Sequence, residues 1–168
     1  ARELTDIPVI CSMTFETSGR TMTGTDPLTA FATLAACGAD AVGANCSMGP
    51  DGLLTLFRDR WDAISSLGIP LSVWSNAGLP RWSEGGIAYD GTPAVMADYT
   101  LRMRALGVQV IGACCGSTPE HLAAMRTALD GPPLEKYEPA FDSSVLQAKP
   151  ASDSAARRAA RRAQRVEA

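Results

Sequence analysis

The sequence predicts an α/β fold on parallel strands, and three observations carry the prediction. Four short apolar runs alternate with four helical patterns along residues 8 to 131, which is the signature of strands joined by helical crossovers. Glycines stop the helices, and Asp-Pro or Thr-Pro pairs start three of them. Finally, GADAVGANC (38 to 46) and GVQVIGACC (107 to 115) share Gly, then Val or Ile, Gly-Ala and Cys at matching places 69 residues apart, a repeat two βα units long. Right-handed crossovers curl successive units the same way.

The elements follow in order. Pro8 to Thr14 reads as the first strand; a loop with Gly19 and Gly24 follows, then Asp26 as a helix cap with Pro27 at the first position and Gly38 as the stop. Asp40 to Cys46 is the second strand. Gly49-Pro50 then opens a single helix with Leu53, Leu54, Phe57, Trp61 and Ile64 on one face, ending at Gly68. Ile69 to Ser75 is the third strand. A longer Gly-rich loop through Gly86 and Gly91 leads to a helix starting at Thr92-Pro93 and stopping at Gly107. Val108 to Ala113 is the fourth strand, and Thr118-Pro119 opens a helix whose apolar face is Leu122, Met125 and Leu129, before Gly131.

From residue 132 the character changes. Pro132, Pro133, Pro139 and Pro150 make residues 132–150 an extended strap or linker, and 151–168 is an Ala/Arg-rich tail carrying Arg157, Arg158, Arg161, Arg162 and Arg165. The tail reads as a solvated segment, with an anion-binding helix as the alternative. The domain expectation is therefore a body at 1–131, a strap and a tail.

A net charge of -3 gives no reason to expect nucleic acid or a membrane as the main partner. The start lacks a secretory signal pattern, and no apolar run reaches the roughly 18 residues of a membrane span; the expectation is a cytoplasmic protein. Five cysteines make an odd set and no disulfide framework.

Cys46, Cys114 and Cys115 fall at the C-terminal ends of strands, where parallel α/β folds carry their chemistry. Three thiolates suit zinc, and a site with three protein ligands leaves a fourth position for substrate. Cys114 and Cys115 point to opposite faces on an ideal strand, so sharing an ion needs a backbone turn, for which Gly112 and Gly116 are available. From spacing alone, a metal site, inert buried cysteines and a redox pair all stay open.

The motifs TSGRTMTGTD, GANCSMGP, SNAGLP and GACCGSTPEHLAAM, in that order, resemble the homocysteine S-methyltransferase family. They are closest to the homocysteine-binding module of cobalamin-dependent methionine synthases, over about Pro8 to Gly131. The resemblance implies a (βα)8 TIM-type barrel of which about four units, the C-terminal half, are present. It implies zinc on Cys46, Cys114 and Cys115, with Asn76 able to fill the fourth position at rest, and methyl transfer to the thiol of homocysteine to give methionine. Methylcobalamin on a separate corrinoid domain or protein is the implied donor. The family's Asp-Gly-Xaa-Met-Gly-Thr stretch and an early acidic residue have no counterpart here. The expected partner is accordingly a first half barrel, or a second copy of the chain.

Other residues carry smaller expectations. Glu16, beside Ser18 and Arg20, is a candidate for the substrate amine, or simply an exposed loop carboxylate. His121, the only histidine, is expected to cap or pack. Cys11 and Cys37 are expected to be core thiols, and Trp74 and Trp82 either wall the pocket or pack. The alternatives to an active methyltransferase are a non-catalytic half barrel that binds zinc or a partner chain, and a thiol redox protein.

Overall fold

A computed structural model describes residues 6–46 and 48–132. Four strands, β1 (Ile10–Met13), β2 (Ala41–Asn45), β3 (Leu71–Ser75) and β6 (Val110–Ala113), form one parallel sheet in the order β1-β2-β3-β6. Around them run α1 (Pro27–Ala36), α2 (Pro50–Arg58), α3 (Trp61–Ser65), α4 (Pro93–Leu106) and α5 (Pro119–Asp130). Two further strands, β4 (Pro80–Ser83) and β5 (Gly86–Tyr89), pair antiparallel as a hairpin between β3 and α4. The arrangement is a mixed α/β one with an open parallel sheet, consistent with part of an α/β barrel. The strap and tail expected after Pro132 lie outside the described residues.

Strand alternation assigns the two faces of the sheet. Val42, Ala44, Leu71 and Val73 are buried in the main core cluster, with Met13, Ile111 and Ala113 packed against it. The opposite face carries Ile10, Ser12, Gly43, Asn45, Ser72, Trp74 and Gly112, by the register that pairs Ser12 with Gly43, Gly43 with Ser72, Asn45 with Trp74 and Trp74 with Gly112. Phe15, Phe31 and Phe57 extend the core as a row, with ring centroids 5.7 and 6.0 Å apart. Each is essentially buried, a contribution of about 2–3 kcal/mol per ring.

The helix starts follow the sequence signals. Asp26 accepts from the Thr29 amide and Thr92 from the Val95 amide; each cap satisfies a donor that the first turn leaves free. Three expectations change. The second helix is two, because the chain leaves helical geometry at Arg60 (φ -127) and restarts at Trp61, which keeps Ile64 fully buried. The loop around Gly86 contains the hairpin. On α5 the buried residues are His121 and Met125, while Leu122 is exposed: positions i and i+4 share a helix face, and the neighbour at 122 turns away from it.

Candidate metal centre

Three strand ends build the site. Ladder bonds run on past the strands: the Cys46 amide donates to the Trp74 carbonyl (2.9 Å) and the Cys114 amide to that of Ser75 (2.6 Å). By alternation Cys46 belongs with Ala44 on the helix-covered side. It instead sits in the left-handed region (φ 56), the one non-glycine among the described residues to do so. That geometry costs about 1–2 kcal/mol, and it turns the thiol toward Cys114.

Cys114 continues the face of β6 that carries Val110 and Gly112, opposite the core cluster. Cys115 is brought round by the turn after it, where Gly116 has φ 78 and the Ser117 amide donates to the Cys114 carbonyl (3.2 Å). Gly112 serves differently from the expectation. It lies within β6 outside the left-handed region, and a Cβ there would come within 2.2 Å of the Trp74 ring. It makes room for Trp74 rather than turning the chain.

The outcome is a cluster of three sulfurs all within 4.8 Å of one another. Cys46 Sγ and Cys114 Sγ are 2.7 Å apart, and Cys114 Sγ and Cys115 Sγ 3.8 Å. No disulfide joins them: all five cysteines are free. Burial pushes the Cys46 thiol up, but hydrogen bonds with Cys114, Asn45 and Cys115 outweigh it and leave the group below its ordinary value. Cys114 is pushed up to about 12, by burial first and then by the hydrogen bonds to Cys46 and Cys115.

These residues fit a tetrahedral thiophilic ion. With metal–sulfur bonds of about 2.3 Å, the sulfurs of such a site stand about 3.8 Å apart; Cys114 and Cys115 already have that separation, whereas Cys46 and Cys114, at 2.7 Å, would have to open by about 1 Å to admit the ion. Among the described residues, no other group of three Cys, His, Asp or Glu side chains converges in this way.

The surroundings are polar and tied down. Asn76, 4% exposed, accepts from the Cys115 amide through Oδ1 (3.2 Å), and the Ala77 amide donates to the Cys115 carbonyl (2.9 Å). Asn45, which sequence reasoning passed over, links Ser12 Oγ (2.8 Å) and Thr14 Oγ1 (3.2 Å) to Cys46. Its position just before the first cysteine was the available signal. Tyr89 was missed as well: it closes the hairpin, and its ring lies so close to Gly116 that a Cβ there would meet it at 2.3 Å. Loss of water first, then the charge and hydrogen bond of Cys115, raise its phenol above the ordinary range.

His121 caps and packs as expected. The Thr118 amide donates to Nδ1 (3.1 Å), which leaves the proton on Nε2 to be donated to the Gly91 carbonyl (2.8 Å). Helix α5 is thereby pinned to the hairpin's exit. Glu16 sits on an exposed loop after β1, outside the sulfur cluster. Trp74 faces Gly112, whereas Trp82 is 86% exposed on the hairpin and is not packed in the core. Cys11 is half-buried in β1, but Cys37 is exposed at the end of α1 and is not a core thiol.

The homocysteine S-methyltransferase family model matches residues 1–129. The chain belongs to this family. Methionine synthase from Mycobacterium leprae (strain TN) is 34% identical over 147 residues, covering 82% of this chain, and methionine synthase from Mycobacterium tuberculosis (strain ATCC 25618 / H37Rv) is 32% identical over 140 residues, covering 83%. The matched region spans 12% of the length of each. Membership fits the placement of the cysteine motifs at strand ends. No helix among the described residues is long and apolar enough to cross a membrane.

Proposed function

We propose that this chain is the zinc-bearing part of a (βα)8 homocysteine methyltransferase, acting in the cytoplasm, with Cys46, Cys114 and Cys115 as the metal's protein ligands. The observation that carries the reading is the convergence of three free thiols from two non-adjacent strands within 4.8 Å. Family membership and the methionine synthase relatives support homocysteine as the methyl acceptor and methionine as the product. Zinc supplies, when bound, a Lewis acid that favours the deprotonated, nucleophilic form of an incoming thiol at neutral pH.

The chain's own residues then have definable tasks. The three cysteines hold the ion and give up their protons to do so. Asn76 stands beside Cys115 with one lone pair of Oδ1 uncommitted, which suits a fourth ligand that withdraws when substrate arrives. Asn45 steadies Cys46 in its left-handed conformation. Glu16 is assigned to the substrate amine, from the neighbouring strand end. The methyl donor is assigned to a corrinoid domain or protein carrying methylcobalamin, outside these residues.

The register supports a full eight-stranded barrel. The sequence repeat matches Gly43 with Gly112, yet across the sheet Gly43 is level with Ser72 and Ser72 with Val110. The repeat is thus offset by two residues over two strand-to-strand steps. A stagger of one residue per strand is what an eight-stranded barrel of shear eight requires. A complementary first half, from elsewhere in the protein or from another chain, completes the ring, with the body ending near residue 131 and the strap and tail following it.

Zinc content after purification under reducing conditions tests the reading: one equivalent is expected, and metal-free folded protein overturns it. A second reading, a half barrel that binds the ion or a partner without catalysis, is favoured by Ile10, 48% exposed on edge strand β1. Homocysteine separates the two, because only the methyltransferase changes its zinc X-ray absorption edge when homocysteine is added.

A further inference from the structure

Of the three cysteines in the cluster, Cys115 is the one the sheet supports least. The Cys46 and Cys114 amides still donate to the neighbouring strand, at the Trp74 and Ser75 carbonyls, whereas Cys115 lies past the end of that ladder and is exposed. What grips it instead is the loop after β3. Its amide donates to Asn76 Oδ1 (3.2 Å), and its carbonyl accepts from the Ala77 amide (2.9 Å).

That loop is itself held from the hairpin's exit. The Gly91 amide donates to the Ala77 carbonyl (2.8 Å), across an approach so close that a Cβ on Gly91 would stand 2.4 Å from the Ala77 carbonyl carbon. The Gly91 carbonyl accepts from His121 Nε2 (2.8 Å), and His121 Nδ1 accepts from the amide of Thr118, shortly after Cys115 in the chain (3.1 Å). The Thr118 hydroxyl donates to the Glu120 carboxylate, which leaves Nδ1 to the amide and the ring's one proton to Nε2. The path therefore closes on itself: from Cys115 to Ala77, Gly91, His121 and Thr118, and back along the backbone. His121 is the only side chain in this circuit, and at 8% exposed it is shielded from competing water.

We propose that His121 is a positioning residue for the metal centre, closing a ring of hydrogen bonds that holds Cys115 and Asn76 in fixed relation to each other. The inference rests on the zinc reading for its purpose, because a ligand held in place by its supporting shell binds an ion more tightly than a loose thiol does. Histidine suits the task, since a neutral imidazole carries one acceptor and one donor on a single rigid ring. His121 lies outside the sulfur cluster; it acts through the backbone alone.

Two neutral variants of the full chain separate the ring from the helix cap. His121→Asn keeps an acceptor for the Thr118 amide but ends short of the Gly91 carbonyl; His121→Gln carries an N–H that reaches it. In metal-free, reduced protein, His121→Asn is expected to speed hydrogen exchange at the Gly91, Ala77 and Cys115 amides about tenfold, the equivalent of one hydrogen bond. Chelator competition should show zinc binding weakened about tenfold in the same variant, with His121→Gln within about twofold of the unmodified protein in both assays. By reciprocity, zinc added to the unmodified protein should slow exchange of the His121 Nε2 proton and the Gly91 amide, a test that needs no variant to fold. Unchanged zinc affinity in His121→Asn overturns the proposal, as does a loss in His121→Gln as large as in His121→Asn, or exchange at Gly91 and His121 indifferent to zinc. Failure of the unmodified chain to bind zinc sinks the metal reading instead, and the metal-free exchange then decides by itself whether the ring holds Cys115.

Discussion

The segments ending at Cys46 and at Cys114-Cys115 are near copies in sequence, yet they present their sulfurs by different means. In the first, one residue takes a left-handed backbone that its side chain disfavours. In the second, Cys114 follows plain strand alternation, and the strain of bringing Cys115 alongside is carried by a glycine that tolerates it. The difference teaches that equivalent motif positions need not be equivalent in space. The two segments are two rungs out of step across the sheet, and each meets the common centre through its own local device.

Substitutions can break or sharpen that contrast. The largest effect is expected at Cys114, whose sulfur touches both others. Cys114→Ser should weaken zinc binding about a thousandfold, a ligand's share of a total of about 10–16 kcal/mol, whereas Cys37→Ser should not alter it; competition with a chromophoric chelator reads both. Next comes Gly116→Ala. It combines the left-handed penalty of about 1–2 kcal/mol with a collision against Tyr89 that costs about 1–3 kcal/mol, so a loss of about 3 kcal/mol in urea unfolding is expected.

Asn76→Ala leaves the part-buried Cys115 amide without its acceptor and should cost about 1 kcal/mol by the same assay. The smallest change in stability is expected on the other segment. Cys46→Gly relieves about 1 kcal/mol of backbone strain and returns about the same to the unfolded chain's freedom, so folding should shift by under about 0.5 kcal/mol while zinc binding weakens by no more than in Cys114→Ser. If Cys46→Gly instead destabilises the fold as much as Gly116→Ala, the left-handed assignment at residue 46 is wrong.

The parts of this architecture legible in the sequence are those set by local chemistry. Parallel strands buried on both faces, as β2 and β3 largely are, read as short apolar runs, and helix ends carry their own marks, so all four sheet strands and the stops at Gly38, Gly68, Gly107 and Gly131 could be placed. The hairpin could not, because Ser83-Glu84-Gly85-Gly86 has loop composition and the flanking runs of four residues are too short to show a period. The break at Arg60 escaped notice since Trp61 and Ile64 continue the apolar spacing of Leu53 and Phe57.

The cysteines were singled out from their position and from the family motifs, but not the manner of their meeting. Cysteine has no preference that announces a left-handed backbone. The contacts of Asn45 and Tyr89 depend on residues 31 or more places away in the first case and on a hairpin fold in the second. Neither leaves a trace in spacing.

One imidazole in the whole chain stands at the seam between α5 and the hairpin's exit. Its ring protons therefore give an unambiguous pair of nuclear magnetic resonance signals that needs neither isotopic editing nor assignment by mutagenesis. Slow solvent exchange of its Nε2 proton would mean that the seam is shut, and broadening on addition of a thiol amino acid would time its opening.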